Sequence, residues 1–468
     1  MAREITPEER QAAQSMLQKA RIAMKAIEGY TQEQVDDLAR ALAWATANEK
    51  TFVQLTEMAV AESKMGNADG AVTRRFKIIG ILRDALRQKS IGIIDELPEK
   101  GIVKYAKPVG VIAGLLPVTN PVVTMVATAI HAVKCRDAVI FSPHPASKAT
   151  ALEANRILRA ALKAAGAPED LVQCLEKPSI PLAQEIMSVC DLTVATGGPA
   201  MVKSAYSSGK PAYGVGAGNA TVVVDESANV EEAARNTRIS KIHNNGSGCS
   251  CDGNLIIDET LYDQMVEQLQ KEGGYLCSEE EKAKLKAVLW DEENHRLLDT
   301  VARSAKVIAE KAGINIGAAK FIFVEQDKIG KEYPFSGEKL SPVLAVFKYQ
   351  KGFENALKMV EQIFEVGGKG HSCGIASYND DNINRLALMA PVSRIMVRQP
   401  NVHGNAGSFT NGMPMTASLG CGTWGGNIIS ENVTTKHFMN TTWVSRTIPE
   451  DKPGEQEIFG KFFNSTIF

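Results

Sequence analysis

The stretch VGVIAGLLPVTNPVVTMVATAIHAVKCRDAVIFS, residues 109–142, decides how this chain is read. From Val109 to Val133 it carries no Asp, Glu, Lys or Arg, and roughly 20 apolar residues suffice to span a bilayer. Pro117, Asn120 and Pro121 fall in its middle, where they would interrupt a membrane helix and leave polar groups in lipid. The stretch therefore reads as a buried strand, VGVIAGLL, then a turn, a buried helix from Pro121 and a further strand, AVIFS. Strands that are apolar on both faces and alternate with helices predict a parallel sheet covered on both sides.

The same texture continues toward the C-terminus. LVQCL (171–175), LTVAT (192–196) and ATVVVD (220–225) read as strands, with helical patterns such as SKATALEANRILRAALKAAG between most of them. A second αβ region runs from about Val230 to Gln399, with NLIID, KFIFV, PVLAVF and RIMVR as strands. Upstream, QAAQSMLQKARIAMKAI and VDDLARALAWATA repeat apolar residues at three and four, the period of an amphipathic helix. Thr31 with Glu33 and Gln34 marks a helix start. The glycine-rich run HGNAGSFTNGMPMTASLGCGTWGGN cannot be one regular element and reads as an ordered functional loop. KHFMNTTWVSR, near the end, reads as a strand added to another subunit's sheet.

A length of 468 residues predicts two or three domains. Apolar residues at 44%, charged residues at 23% and a net charge of −2 give no electrostatic case for nucleic acid or an anionic membrane. The polar start MAREITPEERQAAQ is no secretory signal, so a cytoplasmic protein is expected. Eight cysteines are scattered without C-x2-C spacing, which predicts neither zinc nor disulfides. Most read as small buried apolar residues.

Three places suggest nucleotide binding, although no G-x-G-x-x-G fingerprint is present. FSPHPASK places Pro143, His144, Pro145 and Lys148 in a turn after a strand. Thr196, Gly197 and Gly198 open a helix, where free N–H groups and the helix dipole suit a pyrophosphate. GVGAGN (214–219) is the third place, but it precedes a strand. Cys249 stands in HNNGSGCSCDGN, where small neighbours leave the thiol approachable as a nucleophile. The structural alternative is half a metal site or a flexible loop.

Several segments together resemble the acylating branch of the aldehyde dehydrogenase superfamily: PVGVIAGLLPVTNP, IFSPHPASK, ATGGPAMVKSAYSSGKPAYGVGAGN, HNNGSGC, EKLSPVLA, GGKGHSCG and SLGCGTWGGNIISENV. The likeness runs in order from about Tyr30 to His437 and extends to the aldehyde dehydrogenase half of bifunctional aldehyde–alcohol dehydrogenases. No iron-dependent alcohol dehydrogenase half follows within these 468 residues. The implied fold is a Rossmann-like cofactor domain, an α/β catalytic domain and a small β oligomerisation arm. The divisions read as 1–228 with the arm at about 97–107, then 229–428, then 429–468 for oligomerisation. A homodimer or higher homo-oligomer is implied.

The resemblance assigns Cys249 as nucleophile, Asn120 as oxyanion donor and Glu338 as the nicotinamide-ribose carboxylate. It also implies cofactor contacts at Thr119 and Gly216. Asn120 has a structural alternative as the helix cap before Pro121. His371 matches a histidine that could take a proton from CoA. Hydrolytic relatives carry a water-activating glutamate where this chain has Gly214-Val215-Gly216-Ala217-Gly218, so coenzyme A, not water, is expected to release the acyl group. The implied cofactor is NAD or NADP, with Ser147 and Lys148 available to a 2′-phosphate. A hydrolytic enzyme and an inactive assembly partner are the competing readings.

For the aldehyde itself, Arg238, His243 and Asn244 precede Cys249, and Asn401, His403, Asn405, Ser408 and Thr410 follow in the late loop. Arg238 is expected to pair with an anionic group on the substrate, with Asn245, Ser408 and Thr410 also in contact. A surface arginine is the alternative. The chain looks most like acylating members acting on sulfoacetaldehyde, while succinate semialdehyde and acetaldehyde stay open.

Overall fold

The computed structural model describes residues 3–463; positions 464–468, the end of the expected oligomerisation segment, lie outside the described residues. Helices fill the first part of the chain because their starts are locally satisfied. Helix Pro7–Ala26 begins at a capping box between Thr6 and Glu9. Helix Gln32–Ala47 begins at the predicted Thr31, whose Oγ1 accepts from the Gln34 N–H at 3.3 Å while Gln34 Oε1 accepts from the Thr31 N–H at 2.8 Å.

An antiparallel pair follows, β1 (Ile93–Leu97) and β2 (Ile102–Pro108). It begins earlier than the expected arm at 97–107. The first parallel sheet then forms from β3 (Val111–Leu115), β4 (Ala138–Ser142), β5 (Val172–Cys174), β6 (Leu192–Thr196) and β7 (Ala212–Val215), in the order β5-β4-β3-β6-β7. Every residue of β3 and β4 is buried, as their apolar runs require. Helix Pro121–Lys134, the suspected membrane segment, is likewise buried at all its residues. Among the described residues no helix is long and apolar enough to cross a membrane.

The second parallel sheet contains β8 (Thr221–Val224), β9 (Asn254–Asp258), β10 (Gly274–Leu276), β11 (Phe321–Gln326), β12 (Val343–Tyr349), β13 (Cys373–Ala376) and β14 (Ile395–Val397). Its order is β10-β11-β12-β9-β8-β13-β14. ATVVVD, which the sequence groups with the earlier strands, forms β8 in the middle of this later sheet, paired with β9 and β13. The change of sheet thus falls between Val215 and Thr221.

β15 (Met439–Ser445) pairs antiparallel with β2, giving the order β1-β2-β15. β15 is thus the edge strand of this sheet, and its far edge carries no partner from its own chain among the described residues. Its register on β2 is continuous from Met439↔Pro108 to Ser445↔Ile102, which fills one of its two edges.

Candidate active site

Parallel pairing explains why distant residues converge. β13, β8, β9 and β12 are neighbours with their amino ends on one side. The segments entering them carry His371, Gly216–Gly218, Cys249 and Glu338. In the first sheet, Thr119–Asn120, Pro143–Pro145 and Thr196–Gly198 leave the carboxyl ends of β3, β4 and β6. Sheet order reverses between β3 and β6, and ligands of open α/β sheets bind outside such a switch point. The segment Gly216–Ala220 leads straight from β7 into β8, from one set of loops to the other.

Cys249 and His371 meet at the centre. The Sγ lies 3.0 Å from Nε2 of His371, and Nδ1 of that ring lies 2.8 Å from the Ser372 Oγ. The other seven cysteines are all buried, whereas Cys249 is half-buried. Burial pushes its thiol up to about 12, helped by the charge of Glu338 and by Cys421 and Cys251. Burial also pushes His371 down to about 3, with Arg394 adding to the effect. The resting pair is therefore a neutral thiol beside a neutral imidazole; in the tautomer protonated at Nδ1, which can donate to Ser372, Nε2 is free to accept from the thiol. Arg394 holds this turn by donating to the His371 carbonyl at 3.0 Å, the Gly420 carbonyl at 2.8 Å and Asn432 Oδ1 at 3.2 Å.

Gly218 presses on the nucleophile's backbone. A side chain there would place its Cβ 1.8 Å from the Cys249 carbonyl oxygen. The Gly218 N–H in turn binds the Glu338 carboxylate, which burial raises to about 8. Glu338 Oε1 is buried and has no hydrogen-bond partner. A group with hydroxyls to donate, such as a nucleotide ribose, would satisfy it.

The first sheet offers further polar positions. The Asn120 side chain does not cap helix Pro121–Lys134 and is exposed; no hydrogen bond joins it to Cys249. His144 Nδ1 accepts from the Ala146 N–H at 3.1 Å, and burial lowers its pKa. Thr196 Oγ1 is 3.0 Å from Ser418 Oγ, tying this edge to the glycine-rich loop. Gly198 precedes helix Pro199–Tyr206, and a side chain at Gly198 would meet nothing within 4 Å. Lys148 begins a groove of about 800 Å³ that also includes Arg156, Lys163 and Lys177. Asn155 lines the same groove with a buried Oδ1 that has no partner. Phosphate and adenine chemistry both suit these donors and this acceptor.

The expected substrate residues fare differently. Arg238 does not join the site: its Nε donates to Glu272 Oε2 at 2.6 Å, at the end of helix Tyr262–Lys271. The guanidinium faces the neighbouring helix, because the other side of helix Val230–Ile242 packs inward through Thr237, Ser240 and Lys241. The Asn245 amide is also committed, donating to the carbonyls of Gly66 at 2.8 Å and Ala302 at 3.2 Å. It holds a turn in which Asn244 and Asn245 both have positive φ, 47° and 56°. Ser408 and Thr410 bond each other at 3.1 Å in an exposed turn.

Sequence reading missed Ser372, Arg394 and Asn432 as the support of His371. A charged residue opening the apolar run RIMVR was the available signal, since a buried arginine needs several acceptors. Among the described residues no group of three or more His, Cys, Asp or Glu could hold a metal.

A profile of the aldehyde dehydrogenase family matches residues 3–316. The chain is 43% identical over 453 residues to a sulfoacetaldehyde dehydrogenase from an Acholeplasma species, covering 95% of this chain and 93% of the relative. It is 41% identical over 455 residues to an acylating sulfoacetaldehyde dehydrogenase of Bilophila wadsworthia, covering 96% and 97%. An acetylating aldehyde dehydrogenase from Geobacillus thermoglucosidasius superposes with a TM-score of 0.91 at 36% identity, covering 96% of this chain and 99% of that one.

Proposed function

Because the chain belongs to the aldehyde dehydrogenase family, we propose that it is a CoA-acylating aldehyde dehydrogenase that converts sulfoacetaldehyde to sulfoacetyl-CoA with NADP or NAD. The observation that carries this reading is the Cys249–His371 contact of 3.0 Å beside a Gly214–Gly218 segment with no carboxylate. The relatives' names support the choice of aldehyde.

The turn at His144, Lys148 and its groove, the N–H groups at Gly198 and Glu338 would hold the nucleotide. When bound, the nicotinamide would supply the hydride acceptor. As the Cys249 sulfur adds to the carbonyl carbon, its proton passes to Nε2 of His371. The new oxyanion is held by the Asn120 amide and the Cys249 N–H, donors of a kind that contribute ~2.7–4 kcal/mol each. Loss of hydride leaves an acyl thioester on Cys249, and His371 releases its proton to solvent. His371 then takes the proton of the CoA thiol as that sulfur attacks the thioester. The departing Cys249 thiolate recovers this proton, and one proton is released per turnover. Water is a poor substitute for CoA, because the run Gly214–Gly218 carries no carboxylate to activate it.

The enzyme works in the cytoplasm as a homodimer. The arm and the segment from residue 429 to 463 supply the subunit contact, with Trp443, Val444 and Ile458 exposed along it. The chain up to Val215 acts as the cofactor portion and the chain from Thr221 to about residue 428 as the catalytic portion, a boundary earlier than 228.

Nicotinamide absorbance is followed with sulfoacetaldehyde, with and without CoA. Reduced cofactor that forms catalytically only with CoA is the expected result; equal turnover without CoA would overturn the acylating assignment.

A further inference from the structure

The turn at His144 runs into helix Lys148–Ala164, whose N-cap residue, Ser147, makes no side-chain capping bond. A carboxylate from a distant helix caps it instead. Glu62, in the last turn of helix Glu49–Ser63, accepts the Ala149 N–H at 2.7 Å and the Thr150 N–H at 2.9 Å. The Thr150 hydroxyl donates to the same carboxylate at 2.8 Å. Three donors on two oxygens fix the first turn of the helix, and a negative charge suits that end of its dipole. The His144 carbonyl accepts from the Ser147 N–H at 3.0 Å, so the turn and the helix start are one piece.

A few residues beyond Glu62, the same segment grips the nucleophile's loop. Its helix stops at Lys64, whose φ is 59° and whose carbonyl accepts from Arg303 at 2.7 Å. The Gly66 N–H donates to the Ala302 carbonyl at 2.8 Å, while the Gly66 carbonyl takes the Asn245 amide. The Asn67 N–H donates to Asn244 Oδ1 at 3.0 Å. Asn244 hands the contact on, donating from Nδ2 to Ser247 Oγ at 2.8 Å, two residues before Cys249. The approach is so close that a Cβ at Gly66, where φ is 77°, would lie 2.4 Å from Asn244 Oδ1. Arg74 steadies this end by donating to the Asn67 carbonyl at 2.6 Å and to its Oδ1 at 3.1 Å. The run Glu62–Asn67 is therefore clamped at both ends. One clamp holds the helix that follows β4 of the first sheet, and the other holds the loop that leads through Cys249 into β9 of the second.

We propose that Glu62 is a positioning residue: through the run Glu62–Asn67 it keeps the nucleotide turn in register with Cys249, so that the carbon bound to the sulfur gives up its hydride at the right distance from the nicotinamide. The inference rests on the proposed acylating mechanism and goes beyond it by separating its two halves. Hydride transfer depends on both clamped sites at once, and a misplacement of about 1 Å can cost about 100-fold in rate. Acyl exchange between Cys249 and CoA needs no nicotinamide.

The test compares the full-length wild type with Glu62→Gln and Glu62→Ala, using an aldehyde that the wild type oxidises and its acyl-CoA. Three quantities are measured: nucleotide affinity by calorimetry, the first-turnover rate of nicotinamide reduction at saturating nucleotide without CoA, and exchange of labelled CoA into the acyl-CoA without nucleotide. In that exchange the Cys249 thiol displaces CoA and labelled CoA takes the acyl group back, with no oxidation. Glu62→Ala is expected to slow the first turnover about 10–100-fold while nucleotide affinity and exchange stay within about threefold of wild type. Glu62→Gln keeps one acceptor oxygen and should recover part of the rate. Surviving exchange also reports a folded nucleophile loop. A first turnover kept by Glu62→Ala overturns the proposal. Weaker nucleotide binding with an unchanged rate at saturation also overturns it, as does a parallel loss of exchange. A wild type that reduces nicotinamide but exchanges no CoA overturns the acylating reading instead, and the first-turnover comparison still decides the role of Glu62.

Discussion

Gly218 and Cys249 touch backbone to backbone, so closely that the missing Cβ of Gly218 would sit 1.8 Å from the Cys249 carbonyl oxygen. Even a methyl group must move the nucleophile. Gly218→Ala is expected to lower kcat/KM by about 100-fold or more and to destabilise the fold by roughly 1–3 kcal/mol. Kinetics and thermal unfolding check both. An alanine variant with wild-type kinetics would show that the contact leaves the sulfur's position free.

The thiol and imidazole should titrate far from neutrality. With Cys249 pushed up to about 12 and His371 down to about 3, the neutral pair persists between those limits. The thiolate fraction therefore rises about tenfold for each pH unit from 7 to 10, whereas an ordinary thiol levels off above ~9. Iodoacetamide labelling of the cofactor-free protein should follow the steep course. His371→Ala should slow catalytic turnover by about 10²–10⁴-fold.

Glu338 links folding to pH. Its folded pKa is raised to about 8, above the ~4.3 of an unfolded glutamate. The folded state thus holds the proton more tightly, and stability present below pH ~4 declines as pH rises toward 8. Glu338→Gln should flatten this decline, which is on the order of a few kcal/mol, in denaturant titrations at several pH values. If Glu338 takes the ribose as proposed, the same variant should bind NADP about tenfold more weakly.

Arg238 makes a surface-type ion pair with Glu272 at 2.6 Å, with both side chains part-exposed at 27% and 21%. Such pairs contribute about 0–1 kcal/mol. Arg238→Ala is expected to change kcat/KM for sulfoacetaldehyde by less than about threefold. A selective loss on that substrate would return Arg238 to the site.

Asn245 stitches the catalytic loop to Gly66 and Ala302 while its own φ is 56°. Asn245→Ala removes both bonds and leaves a residue that resists the left-handed region. A loss of about 1–3 kcal/mol in thermal or urea unfolding is expected.

The layered parallel fold was legible because VGVIAGLL and AVIFS are apolar on both faces and need a sheet covered on both sides. β8 was assigned to the wrong sheet, since a strand's own residues carry no record of its neighbours; pairing with β9 and β13 is a long-range choice. Cys249 stood out through its small neighbours, and His371 through the family's likeness. Arg238 misled because sequence spacing gave its distance along a helix but not the face it occupies. The partners of Glu62 lie 87 and 88 residues away, beyond any local pattern.

The passage of the chain from β7 through Gly216–Ala220 into β8 has a mechanical consequence. One end of this short tether is fixed in the sheet that presents the nucleotide loops, and its middle rests on the backbone of Cys249. With almost no slack, a tilt of one sheet against the other is transmitted as a displacement beneath the sulfur. The backbone alone thus joins the first sheet to the support of the sulfur, with no side chain between them.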